Sequence, residues 1–165
     1  MRWSVFAFFL LLLPPVQSSL APRVEIAGAM PQVILLAVVL TALRARPGDA
    51  ILAGWLLGLF CDFLSIERFG LFSLSHGLAA IVVVATREYV FRRRITAQLS
   101  MTFLMSMAVL SFWMGYRRWT YPVESSVAAE WVQGVLGSAV YTVLLVPAVA
   151  PMVRLLFRRA GEDAA

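Results

Sequence analysis

The sequence predicts an all-α integral membrane protein: six transmembrane helices in one bundle, with both termini cytoplasmic. Three observations carry this reading. Hydrophobic residues make up 61% of the 165 and charged residues 14%, with a mean hydropathy of +0.85, whereas a soluble domain uses roughly half apolar and a quarter charged residues. Six apolar runs can be marked, at 3–20, 26–43, 50–66, 69–85, 97–116 and 131–153. Every Arg lies in or beside a break between runs, and the breaks alternate between Arg-rich and Arg-poor. Residues 1–165 then form a single polytopic membrane domain.

Each run has about the 17 to 23 residues that a helix needs to cross a hydrocarbon core of roughly 30 Å. Membrane barrels would instead show short segments of alternating polarity, and these runs are apolar on all faces. Helices satisfy their own backbone groups, as lipid requires.

The first run follows Arg2 and ends near Ser18, Ser19 and Ala21, which also resembles a secretory signal peptide. It is long for that role, Pro14 and Pro15 interrupt it, and cleavage would leave five spans, so retention is expected. Pro15 predicts a kink in the first helix, Pro31 a kink or a late start in the second, and Pro147 and Pro151 do the same in the sixth. Pro22, Pro47-Gly48 and Pro122 lie in breaks. Asp49 is expected to cap the third helix, and Ser125 or Ser126 the sixth. The fifth helix should leave the membrane among Trp113, Tyr116, Trp119 and Tyr121, an aromatic belt around Arg117 and Arg118.

Orientation follows from counting Arg, since the chain has no Lys. With the N-terminus inside, Arg2, Arg44, Arg46, Arg87, Arg92, Arg93, Arg94, Arg154, Arg158 and Arg159 are cytoplasmic, and Arg23, Arg68, Arg117 and Arg118 are not. Ten against four in short loops is a positive-inside signal, so both termini should be cytoplasmic. The net charge of +5 therefore concerns lipid and topology, not nucleic acid, because the basic residues are dispersed among loops. The densest cluster, Arg92, Arg93 and Arg94, reads as a topology anchor that can also contact anionic headgroups.

Chemistry is sparse. A lone Cys61 excludes an intrachain disulfide, and a lone His76 cannot build a His-rich metal site. No phosphate-binding loop or paired-carboxylate spacing occurs. Ser75 and His76 are adjacent and should point about 100° apart on a helix, so they do not read as a Ser-His couple. No catalysis and no cofactor are expected.

The densest constellation joins the third and fourth helices. Gly54, Gly58 and Asp62 are spaced by four and share one helical face, where the glycines allow close backbone approach. A carboxylate well inside an apolar run costs roughly 2.5 to 3.5 kcal/mol at mid-membrane. Asp62 can reach interfacial water, cap backbone donors in the tight turn near Gly70, or pair with Arg68, His76 or a partner. A structural role in the hairpin is preferred over an ion pathway, because one carboxylate supplies no relay. A second small-residue ridge, Gly134, Ser138 and Thr142, occurs in the sixth run. Either ridge can hold a partner helix or close the bundle, and internal packing is expected of both.

A short six-span chain with Pro31 opening a helix, then Gly58-x-x-x-Asp62 and Gly70-Leu71, resembles the MreD family of rod-shape-determining membrane proteins. Length and hydropathy match along the whole chain, and the specific part lies between Met30 and Leu78. Family members often carry an acidic residue after the proline, where this chain has Gln32, so the match rests on Gly54, Gly58, Asp62 and Gly70. The resemblance implies a non-catalytic, multi-pass scaffold in the bacterial cytoplasmic (inner) membrane, a subunit of the cell-elongation machinery that helps to maintain rod shape. It also implies an MreC-like single-span partner and, through it, the actin-like MreB and the enzymes of lateral peptidoglycan synthesis. A homo-oligomer stays open. The family's similarity to the six-helix substrate-binding subunits of energy-coupling-factor transporters suggests an alternative, a vitamin-binding transport subunit. Such subunits show an Ala-x-x-x-Ala ridge on the first helix, which residues 3–20 lack.

Overall fold

A computed structural model describes residues 3–89, 95–121 and 131–154. The cluster Arg92, Arg93 and Arg94, the Ser125 or Ser126 cap and both termini lie outside them. The described residues form α1 (Trp3–Leu20), a 3₁₀ turn (Ala21–Val24), α2 (Val33–Ala42), α3 (Pro47–Leu64), α4 (Leu71–Thr86) and α5 (Ile95–Thr120), then a π-helical stretch (Trp131–Gly137), α6 (Ser138–Leu144) and α7 (Val146–Arg154). An isolated antiparallel bridge joins Ile26 and Ala29.

The centre of the fold is α2. Every residue from Ile34 to Leu43 is buried, as expected for a helix that is apolar on all sides. One face packs with Phe6, Phe9 and Leu13 of α1, Leu57 of α3, and Val146 and Ala150 of α7. The other packs with Ala79 and Val83 of α4 and with Met101, Met105 and Val109 of α5.

Several expectations need correction. The second helix starts at Val33 and not near Ile26, which is the late start that Pro31 predicts: Ala27 and Gly28 adopt left-handed backbone with φ of 51° and 82° and residues 29–32 run without helical structure. With ten residues, α2 is about 15 Å long, half the thickness of a hydrocarbon core. Pro47 and Gly48 open α3 instead of lying in a break; the N-cap is Arg46, and Asp49 sits in the first turn, where Pro and a carboxylate suit the free amides and the dipole. The first helix is continuous through Pro14 and Pro15. The fifth extends beyond Tyr116 to Thr120. The sixth run, as Pro147 predicts, is not straight: it is broken at Leu145 and bent there by 54°.

Of the six expected crossings, the described residues provide two helices that are each long and apolar enough to span, α3 and α5, and a third span if the bent pair Trp131–Leu144 and Val146–Arg154 is one crossing. The apolar helices α1, α2 and α4 are shorter.

Arginines gather at one end of the bundle. Arg87, just after α4, is buried and donates through Nη1 to the carbonyls of Ala42 (2.8 Å) and Ala45 (2.5 Å). A cation at the C-terminus of α2 complements the dipole and satisfies carbonyls that the helix leaves unpaired. Arg44 lies nearby, and burial, followed by the like charge of Arg154, lowers its guanidinium from the ordinary value.

Candidate functional site

Among the described residues the α3–α4 hairpin is the most extensive interhelical contact, and its glycines explain the closeness. A methyl group at Gly58 would stand 2.5 Å from the Phe72 carbonyl oxygen and 2.6 Å from the Ser73 Cα. One at Gly54 would stand 2.7 Å from the Ala80 Cβ and 3.0 Å from the His76 carbonyl oxygen. The ridge therefore faces α4. Gly77 answers from α4, where an added Cβ would meet the Trp55 indole at 2.6 Å.

Asp62 completes this ridge. Its side chain is buried, with Oδ1 accepting the Phe72 N–H at 3.0 Å and Oδ2 the Ser73 N–H at 2.9 Å. These amides belong to the first turn of α4, whose N-cap is Gly70 at φ +97°. Glycine tolerates that conformation but brings no capping side chain, so the carboxylate is supplied from α3 across the turn. Charge-assisted bonds to helix N-terminal amides and the positive end of the dipole offset the desolvation of the carboxylate. Arg68 is exposed, and His76 aims Nδ1 at the Phe72 carbonyl (2.9 Å), not at Asp62.

Ser75 and His76 also need a correction. The Ser75 Oγ lies 3.2 Å from His76 Nδ1 because both side chains turn back to the Phe72 carbonyl. A carbonyl only accepts, so Nδ1 carries the proton and cannot take one from Ser75; the ring acceptor is Nε2.

The second ridge also faces inward. Ser138 Oγ accepts the Met30 N–H at 2.9 Å, and Thr142 Oγ1 accepts the Gln32 N–H at 2.9 Å. From the other side, Gln17 of α1 accepts the Val33 N–H and donates to the Pro31 carbonyl, both at 2.7 Å. Three side chains on two helices thus satisfy the backbone around Pro31, the condition for non-helical chain inside an apolar bundle. Gly134 is open, with nothing within 4 Å of an added Cβ. Gln17 and the capping role of Arg87 escape sequence reasoning. A signal existed in Gln17, an amide within an apolar run that lies in the last turn of its helix and faces a proline-bearing segment.

Above this extended segment the bundle is open. A cleft of about 750 Å³ lies between residues 28–32, the start of α4, the second half of α5 and the π-helical stretch. Trp113 packs against Phe72 there at 4.3 Å between ring centroids, the ring planes tilted by 34°. At the rim Arg117 pairs with Glu67 at 3.4 Å, beside Arg118 and Tyr121. A smaller hollow of about 210 Å³, between α1 and α3, shares Gln32, Phe72 and His76 with the cleft.

Comparison with known proteins agrees with the resemblance carried by Gly58, Asp62 and Gly70. Neither curated proteins nor solved structures give a significant match. The family model described as rod shape-determining protein MreD matches residues 1–159. The chain is a member of the MreD family, a rod-shape-determining membrane protein.

Proposed function

We propose that this chain is a non-catalytic scaffold subunit of the cell-elongation machinery in the bacterial inner membrane. In this reading it binds an MreC-like single-span protein and couples MreB to lateral peptidoglycan synthesis. The family match over residues 1–159 carries the proposal. The grouping of Arg44, Arg87 and Arg154 at one end supports cytoplasmic placement of that end, so that the rim at Arg117 faces outward.

The packing narrows where a partner helix can bind. Gly54 and Gly58 are spent on α4, and Ser138 and Thr142 on the segment around Pro31. The partner therefore uses lipid-facing side chains, not either small-residue ridge. Depleting the protein in its native cells tests the proposal. Rods should widen and round up, and cells that keep their shape and their pattern of lateral wall insertion would refute it.

A further inference from the structure

The cleft reaches deeper than headgroup level. Val109, one of its wall residues, lies about 16 Å along α5 from the end of that helix at Thr120. Opposite stands the chain at 28–32 that precedes α2. Because α2 covers only about 15 Å, the cleft occupies the half of the bundle that α2 does not cross. Irregular backbone at membrane depth is tolerated inside protein or along a water-filled cavity.

Polar groups line this space to its bottom. His76 is 4% exposed and belongs to the wall; Nδ1 is committed to the Phe72 carbonyl, and Nε2 keeps a lone pair with no donor to it among the described residues. The Gln32 and Gln133 side chains border the same space, and neither has a hydrogen-bond partner among the described residues. Further in, on the face of α5 that carries Trp113 and Arg117, Ser106 is fully buried, and its Oγ has no partner among the described residues either. Setting such groups against hydrocarbon costs roughly 1–3 kcal/mol each. An acyl chain in the cleft would impose that cost and would also lie across the Arg117–Glu67 pair. Water satisfies all of them, and about 750 Å³ has room for on the order of twenty molecules at roughly 30 Å³ each.

We propose that the cleft is an aqueous vestibule, filled with water from the Arg117 side down to the level of Val109 near the middle of the bundle. Its solvent supplies the partners that His76 Nε2, Gln32 and Ser106 lack within the protein. Water-soluble molecules on that side then reach a surface that hydropathy alone places inside the membrane, and α2 is the barrier that remains beneath it. The inference stands independently of any MreC-like partner.

Radiolytic hydroxyl-radical labelling of the unaltered, full-length protein in lipid nanodiscs tests it, because the radicals form from water and oxidise the methionines beside it. Met30 and Met114 line the cleft, whereas Met101 and Met105 are buried in the apolar core. The first two should oxidise at least about tenfold faster than the second two. Depth is read with a charged, membrane-impermeant thiosulfonate on Val109→Cys and Phe112→Cys, each in a Cys61→Ala background. Phe112 is an apolar residue of the same helix, 47% exposed, outside the cleft and nearer the Arg117 end. Val109→Cys should nonetheless react at least about tenfold faster, since the thiolate is the nucleophile and forms in water. Protection of Met30 and Met114 equal to that of Met101 and Met105 would overturn the proposal, as would a Val109→Cys that reacts no faster than Phe112→Cys; either result would mark a cleft closed to water by lipid or by packing. The methionine comparison decides the matter if a cysteine variant misfolds.

Discussion

Replacing Asp62 with alanine removes both acceptors from the first turn of α4 and leaves the Phe72 and Ser73 amides without partners beside a glycine N-cap. Leaving a buried donor unsatisfied costs about 1–3 kcal/mol. Two such donors set a gross loss of about 2–6 kcal/mol, and relief of the buried carboxylate's own desolvation returns part of it. A net destabilisation of about 2–3 kcal/mol follows, at or above the upper end of N-cap effects of about 0.5–2 kcal/mol, because two buried amides lose their acceptors at once. Asp62→Asn keeps one acceptor oxygen but turns an NH₂ group toward the second amide, so it should lose about half as much. Thermal unfolding in detergent is followed by tryptophan fluorescence and by the monodisperse fraction after heating. The wild type should melt highest, Asp62→Asn next and Asp62→Ala lowest. If both variants melt with the wild type, the carboxylate does not hold the hairpin, and the reasoning from its two hydrogen bonds fails.

Four further outcomes follow from the packing. Gly58→Ala places a methyl 2.5 Å from the Phe72 carbonyl oxygen and should cost about 1–3 kcal/mol by forcing backbone apart, seen as a lower melting temperature and reduced accumulation. Gln17→Leu orphans the Val33 amide and the Pro31 carbonyl; a loss of about 2–4 kcal/mol is expected, with amide exchange at residues 30–33 accelerating first. Ser138→Leu should deplete the protein itself and not merely a partner, because the hydroxyl it replaces holds the Met30 amide; normal accumulation with loss of a co-purifying protein would assign the ridge to an external face. Glu67→Gln breaks a pair whose Arg117 side chain is 68% exposed, so stability should change by less than about 1 kcal/mol in a melt at low and high salt.

The hairpin was legible because its signals are local. Spacing by four puts Gly54, Gly58 and Asp62 on one face whatever surrounds them, and Gly70-Leu71 marks the turn that follows. The late start of α2 was legible only in Pro31 and not in the hydropathy, since Ile26, Ala27, Ala29 and Met30 are as apolar as a helix interior. What unwinds the chain there is tertiary: Gln17, Ser138 and Thr142, distant in sequence, supply the bonds that a helix would have supplied itself. The bend at Leu145 agrees with the kink that Pro147 predicts two residues on. Hydropathy reads residues 131–153 as one run, and although Pro147 marks a weak point, only packing against α2 fixes the angle. The cleft depends on both features, the unwound entry to α2 and the π-helical stretch, so no motif announces it. Its rim, by contrast, is already visible as Arg117 and Arg118 among aromatic residues.

The most direct test of the scaffold account is purification of a tagged copy from its native membrane in mild detergent, with mass spectrometry of co-purifying proteins and retained small molecules. The account predicts an MreC-like single-span protein in fixed ratio to this chain and no stoichiometric vitamin or other soluble metabolite. Recovery of an ATPase module or a bound metabolite in place of that partner would contradict it and make the chain a transport subunit.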